Sequence, residues 1–188
     1  MTVLSKDHEE IEKYIRLNES TNDKLKRESL RVGIGKYSVL GLKLRGTDFT
    51  ATKPQYHAIM PTDQDAIKIV EKCEHDWQVG DSHFDRIYLA TEDKDIFVSM
   101  QERFGDKLIY TEGEHFSNTG NKWMNEVIDE KRSEKHYKYK RMLEYLISGY
   151  VFSECDALIA PPIGGTLGAM SIKGKYKDLY IIRLGQYE

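Results

Sequence analysis

An arginine and an aspartate, Arg45 and Asp48, bracket the dipeptide Gly46-Thr47 directly after the apolar run Val39, Leu40, Leu42 and Leu44. A short, nearly continuous run of that kind reads as a strand buried on both faces. A guanidinium at the carboxyl end of a parallel strand stands where open α/β sheets bind their ligands. Its planar fork suits the oxygens of a phosphate or diphosphate. A simple surface ion pair between Arg45 and Asp48 would explain the same two residues without any ligand. The second candidate for anion binding is Pro161-Pro162-Ile163-Gly164-Gly165-Thr166-Leu167-Gly168, where strand, glycine turn and helix follow in the right order. Free N–H groups at Gly164, Gly165 and Thr166 would face phosphate oxygens, although a structural turn also accounts for the glycines. It is not a Walker A loop, and Gly33-Ile34-Gly35 precedes a strand where a dinucleotide fingerprint must follow one.

The other groups with chemical potential are scattered. Thr91, Glu92 and Asp93 follow a second apolar run, Ile87 to Ala90; Thr91 and Asp93 stand near a ligand at that strand end or simply cap the next helix. Lys53, Tyr56 and His57 lie on a loop over Thr50 to Met60, long enough to be functional or mobile. Glu112, Glu114, His115 and Asn118 share a polar loop without a ligand pattern, and no metal site is expected there. Cys73 and Cys155 are the only cysteines, with neither a CxxC nor a Cys/His spacing, so a disulfide framework or structural zinc is not supported and a reducing, cytoplasmic setting fits.

A chain of 188 residues is enough for one substantial domain. The net charge of −3 argues against a bulk nucleic-acid partner, and no run is apolar enough to span a bilayer. Residues 1–36 read as an N-terminal helical segment: Asp7 and Glu10 resemble a capping box, and a charged helix follows over Thr21 to Leu30. Residues 37–188 then alternate. Asp63 opens an amphipathic helix with Ala66, Val70, Cys73 and Trp77 inward; the helix after Asp93 buries Ile96, Phe97, Met100 and Phe104; Lys107 to Tyr110 is a short strand. A long helix is expected from about Asn125 to Tyr150, its first half basic with interleaved tyrosines, which reads as an exposed face or a membrane-surface patch. Ala157 to Ala160 and Leu179 to Leu184 are further strands. The order argues for an α/β fold, a Rossmann-like parallel sheet flanked by helices with right-handed crossovers.

Lys43-Leu44-Arg45-Gly46-Thr47-Asp48-Phe49 resembles the His-x-Arg-x-x-Asp strand-end motif of the fucosyltransferase superfamily, which includes core, nodulation-factor and protein O-fucosyltransferases. Ile87 to Asp93 resembles the Tyr-Leu-Ala-Thr-Asp-Asp segment of that family, and Cys155 to Ala160 its third motif, in the family's order. Lys53-Pro54, His57 and Pro61-Thr62 resemble a loop of the bacterial polysaccharide-type relatives. Lys43 stands where the motif has histidine, Lys53 where core fucosyltransferases carry a candidate carboxylate base, and Pro162, Ile163 and Gly164 replace serines.

The resemblance implies one Rossmann-like half of a GT-B glycosyltransferase, the nucleotide-sugar-binding half, with the acceptor domain missing. It implies a GDP-fucose-like donor, inverting transfer without a metal or other cofactor, and a glycan or lipid-linked saccharide acceptor in polysaccharide biosynthesis, at the cytoplasmic side of a membrane. Arg45, with Lys43, would bind the diphosphate and stabilise the charge that develops as the sugar leaves. Asp48 would brace Arg45 and stand behind His57, which would accept the acceptor's proton, and Asp156 would accept hydrogen bonds from guanine. The rival reading is a non-catalytic nucleotide-sugar-binding or scaffold module, which shares every binding residue.

Overall fold

A computed structural model of the chain describes residues 3–78, 83–117, 122–130 and 135–188. Strands β1 (Val39–Lys43), β2 (Arg86–Ala90), β3 (Leu108–Ile109), β4 (Ala157–Ala160) and β5 (Asp178–Ile181) form a single sheet in the order β3-β2-β1-β4-β5. Every neighbouring pair is parallel. The helices are α1 (Val3–Tyr14), α2 (Glu19–Arg31), α3 (Thr47–Thr52), α4 (Asp63–Gln78), α5 (Lys94–Phe104), α6 (Met124–Glu130), α7 (Tyr137–Glu154) and α8 (Gly164–Lys173). The α/β architecture read from the alternation of apolar runs is the one found.

The strands are apolar on both sides because both sides are covered. Leu40 and Leu42 of β1, with Leu44 just past it, meet Ala66 and Val70 of α4 and Ile96 and Met100 of α5. Val39 points the other way, into a cluster with Val151 and Phe152 of α7 and Met170 of α8. Each such side chain contributes roughly 1.5–3 kcal/mol on burial. The chain therefore leaves β1 over one face and returns to β4 over the other. The winding reverses between β1 and β4, and the crevice at their carboxyl ends is the ligand position of doubly wound sheets.

Several boundaries differ from the expectation. The long helix is two helices, α6 and α7, because His136 adopts a left-handed φ of 64° that a continuous right-handed helix cannot contain; residues 131–134 of the basic stretch lie outside the described residues. The second helix also runs past Tyr150 to Glu154. The Thr50 to Met60 loop loses its start to α3, which ends at Lys53 with φ 43°. The rest of that loop is pinned by the tail of the chain: Tyr56 N–H donates to Tyr187 O (2.9 Å), Ile59 N–H to Gly185 O (3.0 Å) and Tyr187 N–H to His57 O (3.0 Å). Asp7 lies within α1 rather than capping it; the side-chain cap is Asn18, whose oxygen accepts from Thr21 N–H of α2 at 2.9 Å. Strand β5 ends at Ile181, not Leu184. Helix α1 packs on α8, and α2 on α7.

Candidate functional site

Arg45 leaves the sheet two residues beyond β1, and the turn after it is built to hold its side chain. Asp48 accepts from both arms of the guanidinium, Nε at 3.2 Å and Nη2 at 2.9 Å. The same carboxylate accepts from the Phe49 N–H at 2.9 Å and the Met124 N–H at 3.1 Å. Asp48 is 1% exposed, so its charge is compensated entirely inside the protein. The Arg45 guanidinium also lies 4.3 Å from the centre of the Phe49 ring and 3.6 Å from Glu92. Burial works against its charge, but the hydrogen bonds to Asp48 and the Glu92 carboxylate raise its pKa above the ordinary arginine value. Arg45 is therefore a fixed, permanent cation with one edge of its fork already committed.

The turn is also bolted to its neighbour. Asp93 caps α5 by accepting from Asp95 and Ile96 N–H, and its other oxygen accepts from Thr47 N–H at 2.8 Å. A side-chain carbon on Gly46 would stand 2.1 Å from that oxygen, which is why glycine occupies the position. Thr91 accepts from the Asp93 N–H at 3.1 Å. Of the two roles expected for Thr91 and Asp93, capping and bracing are what their bonds describe.

Opposite this turn, α8 begins. Ile163 precedes it without a side-chain cap, and among the described residues the Gly164 and Gly165 N–H groups have no acceptor. Thr166 is fully buried and its hydroxyl has no hydrogen-bond partner among the described residues. Arg45, His57, Gly164, Gly165, Arg183 and Gln186 line one cavity of about 870 Å³. Structure thus brings together four of the expected residues and adds Arg183, which the sequence hides inside the expected strand Leu179 to Leu184; only the end of β5 at Ile181 puts it at a strand end. Two arginines and helix N–H groups without acceptors sharing one cavity are chemistry that suits an anion.

Lys43 and Glu92 sit deeper. Burial pushes the Lys43 ammonium below its ordinary pKa, with Glu92 opposing and Arg45 assisting that shift. Burial pushes the Glu92 carboxylic acid up, with Arg45 and Lys43 pulling it back. Glu92 Oε1 has no hydrogen-bond partner among the described residues. Both line a narrow polar cavity of about 70 Å³ with Glu144, Tyr145 and Ser148 of α7. Sequence reading took Glu92 only as part of a helix cap and gave Glu144 no role.

Two expected placements fail. Asp156 precedes β4 and lies at the amino end of the sheet, where it accepts from Val39 N–H at 2.9 Å and pairs with Lys177 at 3.3 Å. The whole of β4, about 13 Å at the usual rise per residue, separates it from the glycine turn. Nor does Asp48 stand behind His57. The imidazole packs on the edge of Phe49, ring centres 5.5 Å apart, and the Asp48 oxygens are spent on Arg45 and two backbone amides.

No family model matches this sequence, and no curated protein does. Solved structures that share the fold include two of one enzyme. The NodZ alpha-1,6-fucosyltransferase soaked with GDP-fucose superposes with a TM-score of 0.50 at 12% identity, over 85% of this chain and 44% of that one. The chain resembles one half of a fucosyltransferase. The same enzyme co-crystallised with GDP gives 0.50 at 11% identity, over 85% of this chain and 43% of that one. The chain spans less than half the length of these relatives, and at such identity the likeness is one of fold. No helix of the described residues is long and apolar enough to cross a membrane.

Proposed function

We propose that this chain is the donor-binding part of a glycosyltransferase that takes a GDP-sugar, GDP-fucose or a close relative. The observation that carries the reading is Arg45, clamped by Asp48 at the switch point and sharing a cavity with the open start of α8. The diphosphate lies between Arg45, Arg183 and the Gly164 and Gly165 amides; Thr166, fully buried and with its N–H donated to Ile163 O at 2.9 Å, takes no part. As the bond from sugar to phosphate breaks, negative charge grows on the leaving diphosphate. A guanidinium already fixed there stabilises that state without reorganising. These cations supply the compensation that a divalent metal would otherwise give, and transfer is inverting and metal-independent. Asp156, at the far end of the sheet, takes no part in holding guanine. The acceptor is a glycan or lipid-linked saccharide of polysaccharide assembly, bound by a domain beyond this chain.

A binding module without catalysis has an observation in its favour: His57 is the candidate base, yet a phenylalanine edge rather than a carboxylate supports its ring. Radiolabelled GDP-fucose separates the readings. Transfer to an acceptor glycan when the chain is supplied with an acceptor domain, and its loss in His57→Ala, supports catalysis. Tight donor binding without transfer under the same conditions leaves the module.

A further inference from the structure

A cavity of about 700 Å³ opens between α1, α7 and α8, within the range of roughly 300–1,000 Å³ that encloses small ligands. Its walls are apolar, with Ile11, Leu143, Leu146, Ala169 and Ile172 among them. Its inner end is not: Lys43 and the opening glycines of α8, Gly164 and Gly165, also line it. Lys43 lies over aromatic faces, 5.6 Å from the Tyr145 ring centre and 5.9 Å from that of Phe152. Among the described residues it makes no direct ion pair, and Glu92 acts on it only at longer range.

Two glycines mark the space as kept open. Gly149 of α7 and Gly168 of α8 line this cavity, and a side-chain carbon on either would meet no atom within 4 Å. Glycine weakens a helix interior, and here neither a close neighbour nor a left-handed backbone requires it. At the rim, Ile15, Tyr139 and Met142 are more than half exposed, an apolar patch that an apolar ligand would continue.

We infer that this cavity binds a single-chain amphiphile with an anionic headgroup. The hydrocarbon lies between α1, α7 and α8, and the head meets Lys43 beside the start of α8, whose first amides are left to the diphosphate of the proposed donor. A buried ammonium calls for a partner of opposite charge, and a helix N-terminus favours the same sign. A neutral or cationic head leaves Lys43 with only the longer-range Glu92 carboxylate. The depth selects a slender occupant: the cavity reaches β1 beneath two helices, whereas a docking helix is about 10 Å across.

The test is calorimetric titration of the full chain, below micelle-forming concentrations, with dodecyl phosphate, dodecanoate, dodecyl maltoside and dodecyltrimethylammonium. Dodecyl phosphate or dodecanoate is expected to bind at least tenfold more tightly than the neutral and cationic compounds, and the stronger of the two identifies the headgroup. Gly149→Leu and Gly168→Leu, which fill the space, are expected to remove binding while the melting temperature holds or rises. Lys43→Met is expected to erase the preference for anionic heads while the hydrocarbon still binds. Equal binding by the parent and the leucine variants, indifference to the head, or no binding at all would overturn the inference. So would a dimer that Gly168→Leu dissociates, since a second copy would then cover the face.

Discussion

At the residue scale, Arg45 and Asp48 divide the work of one ion pair. Asp48 holds two backbone amides as well as the guanidinium, so its loss is felt by the fold. Asp48→Ala leaves four N–H donors without this acceptor and is expected to cost ~3 kcal/mol in urea unfolding, the scale for breaking a buried pair. Arg45→Lys keeps the charge and loses the fork. It is expected to weaken GDP binding at least tenfold, with a smaller loss of stability than Asp48→Ala. Thr166→Val removes a buried hydroxyl that has no partner among the described residues; the protein is expected to gain up to ~1 kcal/mol, read in urea unfolding. Glu92 adds a pH test. Its folded pKa is raised by burial, so the folded state holds its proton more tightly than the unfolded one. Its penalty is absent below the ordinary carboxylate pKa and grows as pH rises through the folded value. Glu92→Gln is expected to raise the melting temperature at neutral pH and to match the parent in acid. The chemistry of Arg45 was legible in residue types alone. That of Asp156 was misread because a strand has two ends, and only the β1–β4 register puts Asp156 opposite the start of β1.

At the element scale, the site depends on how strand ends are tied to helix starts. Asp93 serves α5 and the Arg45 turn at once. Gly46→Ala, pushing a methyl against Asp93, is expected to destabilise by ~1–3 kcal/mol, the scale of a buried polar group losing its partner, and to lower GDP affinity because Arg45 moves with its turn. Denaturant midpoints and calorimetry on one preparation check both effects. The strands and the α4, α5 and α8 helices were legible because their apolar residues recur at clear periods and their turns carry glycine or capping groups. The break between α6 and α7 was not, since Lys135-His136 has no glycine or proline to announce a left-handed residue. The pinned loop was hidden for another reason: its partners, Gly185 to Tyr187, lie far away in the chain.

For the whole molecule, the alternation of strand and helix determined a parallel sheet, and the observed order β3-β2-β1-β4-β5 puts the switch point between the strands that lead into Arg45 and into the glycine turn. The distance from Asp156 to that crevice yields a clear expectation: Asp156→Ala lowers stability through the lost Val39 contact and leaves nucleotide affinity unchanged. The measurement that bears most directly on the central claim is calorimetric titration with GDP, ADP and UDP, on the parent chain and on Arg45→Ala. GDP binding well above that of ADP and UDP, reduced at least tenfold in Arg45→Ala, is the result the account predicts. Equal binding of the three nucleotides, or GDP affinity unmoved by Arg45→Ala, would contradict a donor site built on this arginine.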